Sequence, residues 1–127
     1  MRKTCLLCLA LLACGDDESS GLELDERRFI LQSGREAVAG TKPTLTFDEG
    51  ELGYFGGCNA KGGPFSITGG KLLVKELTSD AAACEPAPSA QDEFFASFLI
   101  SSPTFALDGA TLTLTGGGAT LVFVEAP

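Results

Sequence analysis

Beyond residue 23 the chain runs as short apolar segments, many alternating with polar residues and ending at glycine or aspartate. Pro43-Thr44-Leu45-Thr46-Phe47 alternates, Asp48-Glu49-Gly50 turns, and Glu51 to Phe55 continues as a partner strand. Phe65-Ser66-Ile67-Thr68, Gly69-Gly70 and Lys71 to Lys75 repeat the hairpin. Phe105-Ala106-Leu107, Asp108-Gly109 and Thr111 to Thr115 form another, with Leu112 and Leu114 on one face and the threonines on the other. Arg28 to Gln32 reads as a first strand, and Gly116-Gly117-Gly118 leads into a last one over Ala119 to Val124. Strand runs punctuated by glycine-containing turns at this spacing predict antiparallel sheet.

One segment breaks the period of two. Ser89 to Leu99 places Phe94, Phe95, Phe98 and Leu99 on one helical face. Ser89 is suited to the N-cap, Asp92 and Glu93 to the positive end of the helix dipole, and Ser101-Ser102-Pro103 to the stop. The phenylalanines are read as core packing that plugs the sheet. The fold class is therefore mainly β (α+β): a small, strongly curved antiparallel sheet or barrel of seven or eight strands with one α-helix, whose closure would remove exposed edges.

The first residues do not belong to that domain. Arg2 and Lys3 precede an apolar run from Cys5 to Ala13, the grammar of a secretory signal and too short for a membrane span. Leu11-Leu12-Ala13-Cys14 resembles a bacterial lipobox, in which cleavage precedes the cysteine and its sulfur carries the lipid. The alternative is a plain secretory signal. Residues 15–21, GDDESSG, read as a solvated tether. The organisation is thus a signal peptide over 1–13, a lipid-anchored tether over 14–23 and one domain over 24–127. The lipid on Cys14 would hold the protein at a membrane, the outer one facing the periplasm where the cell has two.

Charge narrows the partners. The formal charge is −8, and loss of Arg2 and Lys3 with the signal would take it to −10. Phosphate backbones are bound by Lys and Arg that release counterions, so nucleic acid is not an expected partner.

Candidate chemistry centres on Tyr54-Phe55-Gly56-Gly57-Cys58-Asn59, where two glycines precede a cysteine. With Cys5 and Cys8 in the signal and Cys14 acylated, Cys58 and Cys84 remain. In an oxidising compartment such a pair is read as a disulfide, with two free structural thiols as the alternative. A nucleophilic Cys58 would need a base, and the chain has no histidine, leaving only nearby Lys61 to lower its pKa. Gly56 and Gly57 suit a sharp bend that Asn59 caps through its side chain. Phe65 to Lys71 fails as a phosphate loop, since Phe65 stands where the first glycine is needed and Leu72 where a hydroxyl is. Zinc would want histidines or closely paired cysteines. Asp16, Asp17 and Glu18 read as solvated tether rather than a calcium site, and Asp92 with Glu93 as dipole complements rather than an acid–base pair. No metal or cofactor is implied.

Together these pieces resemble the META domain, the HslJ-like family. The resemblance rests on Pro43-Thr44-Leu45-Thr46-Phe47-Asp48 and Gly53-Tyr54-Phe55-Gly56-Gly57-Cys58-Asn59. Gly70-Lys71-Leu72, Thr78 to Cys84, Glu93 to Leu99 and Leu112-Thr113-Leu114 then follow in the family order. The chain departs in having no tryptophan and in reading Ser79 to Cys84 without the usual Thr-x-Met-x-Cys. The resemblance implies a barrel-like domain with one helix, often carried by exported lipoproteins linked to heat shock, antibiotic tolerance or virulence. It carries no catalytic residues. The expected function is that of a non-enzymatic, monomeric envelope lipoprotein, with binding of a small apolar ligand or of another envelope protein as the alternative.

Overall fold

The computed structural model of the protein describes residues 23–79 and 83–127. The segment read as a signal peptide, Cys14, read as the acyl acceptor, and the expected tether up to residue 22 lie outside the described residues. Among the described residues nine strands and the helix α1 follow in the order β1 (Arg27–Ser33), β2 (Thr44–Asp48), β3 (Glu51–Phe55), β4 (Lys61–Thr68), β5 (Lys71–Val74), β6 (Thr78–Ser79), α1 (Pro86–Ile100), β7 (Thr104–Asp108), β8 (Thr111–Gly116) and β9 (Ala119–Glu125). Eight of them close into an antiparallel barrel, running β1-β2-β3-β4-β5-β7-β8-β9 and back to β1. The ninth, β6, pairs only with the first half of β4, through Lys61 with Ser79 and Gly62 with Thr78.

The hairpins form where alternation and turn chemistry agree. Gly69 and Gly70 both take positive φ, 61° and 76°, which matches the twist a two-residue hairpin requires. Two boundaries differ from expectation. β4 begins at Lys61 rather than Phe65, because Gly62-Gly63-Pro64 has no side-chain alternation to read yet still pairs with β3 from Glu51 to Tyr54. The helix begins at Pro86, with Glu85 before it, so Ser89 is not the N-cap; its N–H already donates to the Glu85 carbonyl at 3.1 Å. Proline pre-sets the helical φ at the first position and needs no donor there. Ser101 closes the helix as expected, its hydroxyl donating to the Phe98 carbonyl at 2.6 Å.

Inward-facing residues of the strands fill the barrel: Phe29, Leu45, Phe47, Leu52, Ile67, Leu72, Val74, Leu112, Leu114, Leu121 and Phe123 are all buried. The wall has one thin seam. β5 and β7 share a single register pair, Lys71 with Thr104, flanked by Leu72 N–H to the Pro103 carbonyl and Phe105 N–H to the Gly70 carbonyl. Helix α1 packs against β5 and drives Phe95, Phe98 and Leu99 into the interior. Phe95 stacks on Tyr54, centroids 5.0 Å apart, and meets Phe123 edge-on at 6.5 Å.

The other end of the barrel is held by Arg27. Its guanidinium forks onto Glu125 at 3.0 and 2.8 Å and reaches the carbonyls of Glu23 and Gly109, tying the start of β1 to the end of β9 and the β7–β8 turn. Hydrogen bonding from Arg27 holds the Glu125 carboxyl below its usual range; slight desolvation opposes this and the charge of Arg27 adds to it.

Phe95→Ala should lower unfolding free energy by about 3–5 kcal/mol, read by urea denaturation, because it empties the joint between helix and barrel. For Glu125 the folded pKa lies below the unfolded one. Its stabilisation is therefore complete above the ordinary carboxylate range, about pH 4.3, and is lost as pH falls through the lowered folded value. Glu125→Gln should flatten the acid limb of a thermal-stability-versus-pH profile, and an unchanged limb would contradict the pairing.

Candidate functional site

The signature segment turns out to be a joint between three parts of the chain. Leaving β3 at Phe55, the backbone bends through Gly56 and Gly57 (φ 105°) toward Cys58 and Asn59. A Cβ on Gly56 would sit 1.8 Å from the Tyr54 hydroxyl and 3.2 Å from Asp92 Oδ1, so only a residue without a side chain lets the phenol and the carboxylate converge there. One on Gly57 would sit 2.6 Å from Thr41 Cγ2. The two glycines thus serve both close approach and, at Gly57, an unusual φ.

Helix α1 supplies the partners. Gln91, buried, donates from Nε2 to the Gly56 carbonyl at 2.8 Å and to Thr41 Oγ1 at 3.0 Å, while its Oε1 accepts from Val38 N–H at 2.9 Å. Asp92 Oδ2 accepts from the Asn59 N–H at 2.9 Å. One turn of helix therefore fastens the β1–β2 connection and the β3–β4 bend together. Arg35, from the first of these, lies over the Phe94 ring at 3.9 Å.

The expectation for Asp92 is corrected here. It lies in the second turn of the helix and is 3% exposed, a buried acceptor for a loop amide rather than a surface complement to the dipole. Gln91 was not anticipated at all. A signal for both exists: residues 91, 92, 95, 98 and 99 share one stripe of a 3.6-residue helix, and two of them are polar.

Cys58 and Cys84 form a disulfide, Cα atoms 5.9 Å apart, that links the bend to the segment preceding α1. Both cysteines are half-buried. Asn59 Nδ2 donates to Cys58 Sγ at 3.2 Å, so the asparagine caps the sulfur with its side chain and Asp92 with its backbone. A cross-link of this span stabilises by about 2–4 kcal/mol, chiefly by restricting the unfolded chain.

Tyr54 Oη and Asp92 Oδ1 are buried and converge at Gly56, where the phenol and the carboxylate are each other's partner and neither has another. The phenol is pushed well above its ordinary range, first by burial, then by the negative Asp92 beside it, with Arg35 opposing. A phenol whose pKa is raised this far keeps its proton beside the Asp92 carboxylate, so the geometry favours holding over proton transfer.

Elsewhere, one grouping of carboxylates occurs among the described residues. Asp25, Glu26 and Asp48 bring oxygens within 4.8 Å of one another at the opposite end, all exposed, and Asp25 also accepts the Glu49 N–H. No helix among the described residues is long and apolar enough to cross a membrane.

A closed eight-stranded antiparallel barrel, plugged by one helix and clasped by a disulfide across a Gly-Gly-Cys-Asn bend, defines the class of protein. The family model of the META domain matches residues 23–127, and the chain belongs to the META domain family. Solved structures share the fold, two of them as follows. One, determined by NMR, is 24% identical, with a TM-score of 0.67, over 82% of this chain and 92% of its own. The other, an NMR structure of a protein from Burkholderia xenovorans, is 21% identical, with a TM-score of 0.66, over 86% of this chain and 88% of its own. At these identities the likeness speaks for the fold alone. No curated protein matches the chain.

Gly56→Ala should cost about 1–3 kcal/mol in urea denaturation, since its Cβ collides with the Tyr54 hydroxyl. Adding Tyr54→Phe should recover part of that loss, and only part, because ring atom Cζ would still lie 2.6 Å from the new methyl. A Gly56→Ala protein as stable as the parent would refute this role for the glycine.

Proposed function

We infer that the protein is a non-enzymatic envelope lipoprotein, held at a membrane through Cys14, whose META barrel works by contact with another envelope protein. The observation that carries this reading is how the signature residues are employed. Gln91 bonds Val38, Thr41 and Gly56, Asp92 holds the Asn59 amide, and Cys58 is bound to Cys84. The most chemically capable side chains of the motif are thus engaged in closing the fold. A disulfide also suits an exported chain, which the Arg2 to Cys14 segment describes.

Carriage of a small apolar ligand draws no support from the interior, which Phe and Leu side chains fill. Contact surface is available outside. Phe55 and Ile100 are exposed, and a groove of about 430 Å³ runs along α1 beside Phe94 and Phe98. The physiological setting we assign is envelope stress, on the family resemblance. The anchor is tested by labelling cells with a radioactive fatty acid and fractionating them. The parent chain should carry label and sediment with membranes; Cys14→Ala should lose the label. Unlabelled parent protein would overturn the lipid anchor.

A further inference from the structure

We propose that the outer face of β9, β1, β2 and β3 is the contact surface of the barrel, and that it takes a segment of an envelope protein in which acidic residues flank one apolar side chain. This rests on the contact reading above and gives it a place and a partner chemistry.

Alternation along the strands builds the face. Phe29, Leu45, Leu52, Tyr54 and Phe123 are buried, so the residues between them point outward. Val124, Ile30, Thr44 and Phe55 stand opposite one another in register across four strands. Strands lie about 4.8 Å apart, so the row spans roughly 14 Å, the reach of about four extended residues. Phe55 ends the row and is 49% exposed, while Ile30 and Val124 are half-buried. The Thr44 hydroxyl already donates to the Lys42 carbonyl at 2.7 Å, so the row meets a partner mainly through carbon. That favours a protein side chain over a glycan, whose hydroxyls lose water and need bonds in return.

Beside Phe55 the wall has a notch. Thr44, Thr46, Gly53, Phe55 and Lys61 line a space of about 180 Å³, enough for one apolar side chain. Gly53 has no positive φ, so its backbone does not ask for glycine. A Cβ there would press on the Thr46 hydroxyl at 2.6 Å, an exposed side chain rather than backbone. The missing side chain therefore leaves room next to the exposed ring, where a close partner can seat an anchor.

Charge selects the partner. The chain carries 17 acidic residues and 9 basic ones. Around this row the balance reverses: Arg28, opposite Thr46, lies on one side, Lys42 on the other, and Lys61 at the notch. None of the three has an ion pair among the described residues, whereas Arg27 is taken by Glu125. The acids of the face, Asp48 and Glu51, stand opposite each other at the β2–β3 turn, beyond Thr46 and Gly53. The groove along α1 lacks this contrast, since Glu93 lines it and Arg35 already covers Phe94. An apolar anchor in the notch supplies affinity, and acids meeting Arg28, Lys42 and Lys61 supply approach rate and selection.

The test places photoreactive benzoylphenylalanine in the full chain at Phe55, at Ser97 in the α1 groove, or at Lys75 after β5, one position at a time. All three side chains are exposed, and far-UV circular dichroism of each purified variant checks the barrel. Cells making these variants are irradiated, and the adducts are mapped by mass spectrometry. Position 55 should give a protein adduct whose attached peptide has acidic residues on both sides of an apolar one. Arg28→Glu combined with Lys42→Glu should lower its yield several-fold. Protein adducts from position 97 or 75 without one from 55 overturn the proposal and leave contact with an envelope protein standing. An adduct at 55 with lipid, with glycan or with a segment lacking acids overturns it too, as does a yield that charge reversal leaves unmoved. Absence of protein adducts at all three positions overturns the contact reading as well.

Discussion

Gln91 and Asp92 hold three backbone groups and one hydroxyl that no strand of the barrel reaches: Val38 N–H, the Gly56 carbonyl, Asn59 N–H and Thr41 Oγ1. Buried backbone polar groups must be bonded, and each one left alone costs about 1–3 kcal/mol. Two adjacent side chains of α1 settle these groups at once, which fixes both loops against the helix. The position of α1 in turn fixes Phe95, and Phe95 joins Tyr54 to Phe123. Polar satisfaction at the rim and apolar packing in the interior are therefore one arrangement. The Gly56-Gly57 pair belongs to it because a methyl group at Gly56 would occupy the space where phenol and carboxylate meet.

The helix has a second duty. A barrel gains from closure because no edge is left to pair with other chains. Here closure between β5 and β7 rests on one register pair and two flanking hydrogen bonds. Helix α1 packs against β5, one side of that short pairing, and the disulfide ties the segment entering α1 to the bend after β3. The bridge thus secures the element that packs on β5.

Much of this was legible in the residues. Alternation in Thr44 to Phe47 and Thr111 to Thr115 gave strands whose inward leucines and phenylalanines are the buried ones. The Cys58–Cys84 pairing followed from elimination and compartment, and the geometry agrees. Three features stayed hidden for physical reasons. Gly62-Gly63-Pro64 pairs through backbone alone, so no side-chain pattern marks the start of β4. Ser89 makes a good cap, and only the preset φ of Pro86 starts the helix earlier. Gln91 and Asp92 share the helical stripe of Phe95, Phe98 and Leu99, but the groups they bond lie more than thirty residues earlier in the chain. Local pattern is blind to a polar group whose satisfaction is long-range.

Strand direction then separates the two ends of the molecule. β1 starts at Arg27 opposite Phe47, and the chain turns at Asp48 and Glu51 before β3 carries it to Tyr54 and the bend. The point where the preceding residues join, and the carboxylates of Asp25, Glu26 and Asp48, thus lie at one end. The disulfide and the start of α1 lie at the other. A protein anchored through Cys14, as we infer, would keep its acidic end on the tether side. An anionic bilayer repels such a surface over roughly a Debye length, about 8 Å at physiological salt. Under that anchor the repulsion would favour a domain standing clear of the membrane, with the Cys58 end turned away from it.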